Sequence, residues 1–254
     1  MTMPDADSSE GLTAESCWQR TDHDGVAVLT FTRPPSNWMS FAAMTELVPQ
    51  LRTLADDDGV KVVMLTGGID GYFVAHADLD DLGKIAAGEP VEGDPRAWRE
   101  AQHLLETMPQ PTVAAIDGQA WGGGNEIALS CTLRVGSERA HMGQPEVAVG
   151  ILPAGGGTQR LPRLVGAGIG AELCLTGRIV DAAEAHRIGL LNAVLPTDGF
   201  VDAAVEWCSA IARHQAPSVF ATKRAVVEGL QGPLEDGLNL ETQLLRQLFG
   251  QANA

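Results

Sequence analysis

The chain is short of positive charge: 17 Lys and Arg stand against 33 Asp and Glu in 254 residues, a net charge of −16. A nucleic-acid binder needs clustered cations to displace phosphate counterions, so that class of function has no electrostatic footing here. Any anionic ligand must be met by a local basic pocket. Cysteine is also sparse. Cys17, Cys131, Cys174 and Cys208 form no C-x-x-C pair, which argues against a disulfide framework or a thiolate zinc site and fits buried reduced thiols. The histidines show no H-x-x-x-H or other ligand spacing, and no G-x-S-x-G elbow occurs. Metal-dependent hydrolysis and serine esterase chemistry therefore lose their support, and no metal is expected. Charge-free runs are too short and Gly-rich for a membrane span. The expectation is a soluble, cytoplasmic chain with neither nucleic acid nor membrane as partner.

What is present is alternation of strands and helices. Residues 1–16 carry acidic groups without Lys or Arg and read as a disordered leader. Val26–Thr32 is a buried strand that ends at Arg33-Pro34-Pro35. Ser40 stands at an N-cap position before Met44, Leu47, Leu51 and Leu54 at helical spacing, with a kink or break expected at Pro49. Lys61–Thr66 is the next strand. Asp78–Asp94, acidic and glycine-punctuated, reads as a mobile stretch before a helix over Pro95–Met108 that turns Trp98, His103 and Leu104 or Leu105 inward. Thr112–Ile116 leads through Gly122-Gly123-Gly124 into a helix over Asn125–Cys131, and Leu133–Ser137 is another strand. Gly155-Gly156-Gly157 begins a second glycine turn, with a helix following Pro162. Short connections between alternating elements give an α/β core with a largely parallel sheet over 17–197. Strands stop near Asp198, and residues 198–254 read as three helices of the same functional unit.

Two carboxylates stand out, Glu126 in AWGGGNEIALSC and Glu146 in MGQPEVAVGILPAGGG, because each sits in an otherwise uncharged, Gly-rich segment. An ionised carboxylate there must be hydrogen-bonded or shift its pKa, and a raised pKa suits a general acid/base near neutrality. A single such Glu is commonly just a buried polar group; two beside triple glycines weaken that alternative. Gly122-Gly123-Gly124 at a helix start either presents unencumbered N–H groups to a negative atom or packs a helix tightly on a strand. It matches neither dinucleotide nor P-loop spacing.

FVAHAD (Phe73–Asp78), AAIDGQAWGGGNEIALSC, MGQPEVAVGILPAGGGTQRLPRLVG and LTGRIVDAAEAHRIGLLNAVLP, in that order, resemble the crotonase (enoyl-CoA hydratase/isomerase) superfamily over Val26–Gly229. The resemblance implies an α/β spiral of repeated ββα units with a C-terminal helical trimerisation region, and trimers or dimers of trimers. It implies acyl-CoA thioesters as substrates, with no separate cofactor. By motif position, the backbone N–H groups of Ala77 and Gly123 form an oxyanion hole and Glu126 and Glu146 act together on one water. That favours a hydratase over an isomerase, a thioester hydrolase or a non-catalytic acyl-CoA binder. Arg33, Ala75, His76, Asp78, Leu79, Gly122, Pro145, Ala154 and Lys223 are the implied substrate and CoA contacts. Lys84 and Arg224 are further candidate cations.

His76, Ala154, Asn125 and Thr132 depart from the family pattern, the last two replacing the more usual Cys and Asp in a way that repacking of the helix accommodates. His76 stands where the family has glycine, which matters if that residue needs a positive φ. Ala154 also replaces a common glycine while keeping its N–H, and Trp38 follows the Asn37 turn in a region used near CoA, as a core residue or a contact. The acyl pocket is expected from Asp78–Met108 and from the final helices.

Overall fold

A computed structural model describes residues 16–252. The expected leader lies outside the described residues but for Ser16. Strand β1 (Trp18–His23) pairs antiparallel with β2 (Val26–Phe31) through Asp24 and Gly25, both at positive φ (42° and 87°), as a two-residue Asp-Gly hairpin requires. β3 (Val62–Gly67), β4 (Thr112–Ile116), β6 (Leu133–Ser137) and β9 (Ala193–Leu195) continue from β2, all parallel, in the order β1-β2-β3-β4-β6-β9. The central strands are buried on both faces, which is why they read as unbroken apolar runs. β1 escaped the sequence reading because only Trp18 of its six residues is buried.

One face of this sheet carries α1 (Phe41–Ala55) and α3 (Ala97–Thr107); the other carries α8 (Phe200–Ala212), whose Phe200, Ala204 and Cys208 pack on Val28, Met64 and Val113. Ser40 caps α1, its hydroxyl accepting the Ala43 N–H at 3.1 Å. The break expected at Pro49 does not occur. Met44, Leu47, Leu51 and Leu54 bury one continuous face on either side of the proline and hold the helix together.

After each of four successive parallel strands the chain makes a short extended segment and then a helix, the ββα unit of a spiral. The units are β2, 37–39 and α1; β3, 72–77 and α2 (Leu79–Ala87); β4, β5 (Gln119–Trp121) and α4 (Gly123–Ser130); and β6, β7 (His141–Gly143) and α5 (Gly157–Val165). The extended segments stack side by side as a second, smaller sheet that includes β5, β7 and β8 (Ile179–Asp181). The stretch expected to be mobile holds α2, capped by Asp78 on the N–H groups of Asp80 and Asp81 and ended by Gly88 at φ 72°. In α3 it is Gln102 that turns inward with Ala101 and Leu105, while His103 is exposed. α5 begins at Gly157 and passes through Pro162 instead of starting after it.

α6 (Ala167–Thr176) and α7 (Ala182–Arg187) lead to α8, α9 (Ala216–Gly229) and α10 (Leu234–Ala252). Among the described side chains of α10, Leu244 is buried, whereas Leu234, Leu238 and Leu245 are exposed. No helix among the described residues is long and apolar enough to cross a membrane.

Candidate active site

The site is built where the segment 73–78 lies between two neighbours of the small sheet. Asn37 sets this up. It is fully buried at φ 55°, a conformation asparagine tolerates better than most residues. Its side chain accepts the Arg33 N–H and donates to the carbonyls of Phe31 and Phe73 (2.8, 3.0 and 2.6 Å). Met39 then donates to His76 O and accepts from Asp78 N, both at 2.8 Å. In a parallel bridge of this kind the residue between, Ala77, turns its own N–H to the opposite side. That side faces α4.

Gly122 brings the chain into α4 at φ 49°, ψ −121°, a conformation that calls for glycine, and a Cβ there would stand 2.9 Å from Glu146 Oε1. Gly123 is the first residue of α4, and its N–H has no partner within the helix. A Cβ on Gly123 would lie 3.0 Å from Ala77 N. The two N–H groups therefore border one small space, and among the described residues no hydrogen bond takes either. Gly124 acts differently, in packing, since a Cβ there would collide with the Val74 carbonyl and α4 lies directly on the backbone of the neighbouring segment. The helix-start and close-packing readings of the triple glycine divide between its members.

Glu126 sits one turn into α4, 4% exposed, with Oε1 accepting the Gly157 N–H at 2.9 Å. Burial raises its pKa, against the N–H groups of Gly157 and Gly155 and the charge of Arg160, all of which favour the ionised form. Glu146 belongs to a 3₁₀ turn over Pro145–Val149. Burial, followed by the charge of Glu126, pushes it up to about 7, with only its own N–H opposing. The buried Gln144 amide, oriented to satisfy both its ends, donates to Gly122 O at 3.2 Å and to Glu146 Oε1 at 3.1 Å. It ties the 3₁₀ turn to the glycine turn.

A cavity of about 410 Å³ joins these groups. Of the residues singled out in the sequence, His76, Ala77, Leu79, Gly122, Gly123, Glu126, Pro145, Glu146 and Ala154 line it. Ala75 stands behind, donating to Asn37 O and accepting from Trp121 N. Arg33 and Asp78 form an ion pair at 2.8 Å, and Arg33 also donates to Trp38 O. His76 is not at positive φ: among the described non-glycine residues only Asp24 and Asn37 are. The imidazole donates from Nδ1 to Ala77 O at 2.6 Å and stacks on Trp38 with centroids 5.0 Å apart, so its presence imposes no backbone strain.

The structure does not bring Lys223 to this cavity. Its ammonium is buried on the carbonyls of Met108 and Gln110 (2.7 and 2.9 Å), and of Leu105, at the end of α3. The reason is the cluster of carbonyls at that helix end, which attracts a cation. Lys84 pairs with Asp81 and Arg224 with Glu228, both away from the glutamates. The final helices contribute nothing to the lining. Sequence reasoning missed Gln144 and, in the wall, Phe41, Trp121 and Leu152, whereas Leu82 and Trp98 come from the stretch Asp78–Met108 expected to line the acyl pocket.

A family model described as enoyl-CoA hydratase/isomerase matches residues 21–254. The short-chain-enoyl-CoA hydratase of Clostridium acetobutylicum is 35% identical over 227 residues, 88% of this chain and 86% of that protein. The 2,3-dehydroadipyl-CoA hydratase of Escherichia coli is 35% identical over 225 residues, again 88% and 86%. The crystal structure of an enoyl-CoA hydratase from Bacillus anthracis superimposes with a TM-score of 0.85 at 33% identity, covering 92% of this chain and 91% of that one.

Proposed function

The chain belongs to the enoyl-CoA hydratase/isomerase family, and on that footing we propose that it adds water across the double bond of a trans-2-enoyl-CoA to give a 3-hydroxyacyl-CoA. The observation that carries this reading is that two carboxylates with unequal surroundings face the same cavity as two unengaged N–H groups.

Glu126, held by N–H donors and Arg160, ionises before Glu146, whose environment keeps its proton to around neutrality. Glu126 takes a proton from the water as the water oxygen bonds to the β-carbon. The electron pair of the double bond moves through the α-carbon onto the thioester oxygen, where Ala77 and Gly123 donate to the developing charge. Fixed donors of this kind need no reorganisation, and each is worth roughly 3–4 kcal/mol in comparable sites. Glu146 then gives its proton to the α-carbon from the same side, so the addition is syn, and the carboxylates exchange protons with solvent to reset. No cofactor or metal enters these steps, because coenzyme A is part of the substrate. CoA enters past His76 and Leu79, with the Arg33–Asp78 pair supporting that edge. The exposed leucines of α10 support self-association as a trimer or a dimer of trimers.

The test is ultraviolet absorbance of enoyl-CoA substrates with mass analysis of the product. Hydration removes the conjugated signal and adds the mass of one water. Loss of conjugation at unchanged mass would mark an isomerase instead, and no loss at any chain length contradicts the proposal. Relatives named for short-chain and for dehydroadipyl substrates leave the acyl chain open.

A further inference from the structure

The geometry points to an uncharged, apolar acyl chain as the group this cavity accepts, and to exclusion of acyl chains that end in a carboxylate; the inference rests on the hydratase reading for the position of the thioester. From the oxyanion end the wall continues through Phe41 of α1, Leu82 of α2, Trp98 of α3, Val149 at the end of the 3₁₀ turn, and Ile151 and Leu152 beyond it. Phe41 and Trp98 face each other as a tilted pair with centroids 5.8 Å apart. The residues lining the cavity include no Lys or Arg, and their charged groups are the two glutamates.

The nearby cations Arg33, Lys84 and Arg160 are engaged by carboxylates, and the two indole donors of the wall are bound or shut off. His76 lies at the thioester end with Nδ1 on Ala77 O. Arg33 is held by Asp78, Lys84 lies against Asp81, and Arg160 is paired with Glu106. The Trp121 N–H donates to His141 Nδ1 at 2.9 Å. The Trp98 N–H has no partner among the described residues, but it is closed off from solvent, and a Cβ on Gly155 would stand 2.9 Å from its nitrogen. A terminal carboxylate would therefore lose its hydration to an apolar wall, find no counter-charge, and be repelled by Glu126 and Glu146. An alkyl terminus loses nothing comparable, and the exposed apolar side chains at the rim, Leu79, Val149 and Leu152, extend its contact surface.

Two substrates of equal length isolate the effect: hexenoyl-CoA and hexenedioyl-CoA, which differ in a terminal methyl against a carboxylate. The expected result is a kcat/KM for the diacid lower by on the order of 10³-fold; values within about tenfold of each other overturn the inference. Leu82→Arg, which places a cation in the wall, is expected to shift the ratio toward the diacid by about tenfold or more, and an unchanged ratio counts against the assignment. Calorimetric binding of the saturated thioesters, hexanoyl-CoA and adipoyl-CoA, separates the two claims. Absence of turnover with both enoyl substrates rejects the hydratase reading, whereas the cavity inference stands or falls on whether hexanoyl-CoA binds the tighter.

Discussion

Glu126 Oε1 accepts the N–H of Gly157 at 2.9 Å, a bond that joins α4 to the first residue of α5. It gives Glu126 donors from another element, Gly157 and Gly155, where Glu146 has only its own backbone N–H. Glu146 is approached by the Gln144 amide and by the negative charge of its partner. On the proposed mechanism that difference decides which carboxylate ionises first, with consequences for both rate and stability as pH changes.

For the rate, the consequence is a two-sided pH profile. The proposed mechanism requires Glu126 ionised and Glu146 protonated, so kcat/KM is expected to fall on the alkaline side as Glu146 loses its proton around its raised pKa of about 7. The acid limb belongs to protonation of Glu126. Initial rates from about pH 5 to about pH 9 on a good enoyl substrate measure the alkaline limb. A flat alkaline side would show that Glu146 is not the acid.

Stability carries the same signature with its sign fixed by linkage. The folded protein raises Glu146 from 4.5 to about 7, so between those values the folded state binds more protons than the unfolded one and stability falls as pH rises. Glu146→Gln removes the ionisable group. Its Tm is expected to exceed that of the wild type above neutrality, by about 2–4 °C for each kcal/mol gained, and to converge on it in acid. A Tm difference independent of pH would contradict the assignment.

At the oxyanion side the critical substitution is Gly123→Ala. The new Cβ would lie 2.9 Å from Ala77 Cβ and 3.0 Å from Ala77 N, in the space between the two donors. The expected loss is about 10²–10³-fold in kcat, with a smaller effect on KM. Turnover within about fivefold of wild type would place the thioester oxygen elsewhere.

Lys223→Met separates a structural lysine from a ligand contact. Burial lowers the Lys223 pKa to about 8, and the ammonium serves carbonyls at the end of α3. Leaving those carbonyls unpaired is expected to destabilise the fold by about 1–3 kcal/mol with KM for the enoyl-CoA unchanged. Denaturant unfolding and steady-state kinetics on the same sample check both halves.

These residues also show what the sequence carried and where it fell silent. β2, β3 and β4 were legible because burial on both faces leaves an apolar run. β1 and α2 were not, since exposed strands and acidic helix starts look like loops. Glu126 and Glu146 were visible as lone charges among glycines. Gln144 was not, because a buried amide acquires its role only when separate elements meet. The concern over His76 came from a glycine expected at its position; its backbone is not at positive φ, and its ring lies on Trp38. Lys223 was placed by motif, and nothing in the chain told that the end of α3 would claim its ammonium.

The most direct measurement is the hydration rate of hexenoyl-CoA by wild type, Glu126→Gln, Glu146→Gln and the double variant. If the carboxylates act as one unit, each single substitution lowers kcat by at least about 10³-fold and the double is scarcely worse than the weaker single. Either single variant retaining activity within about tenfold of wild type would contradict the account.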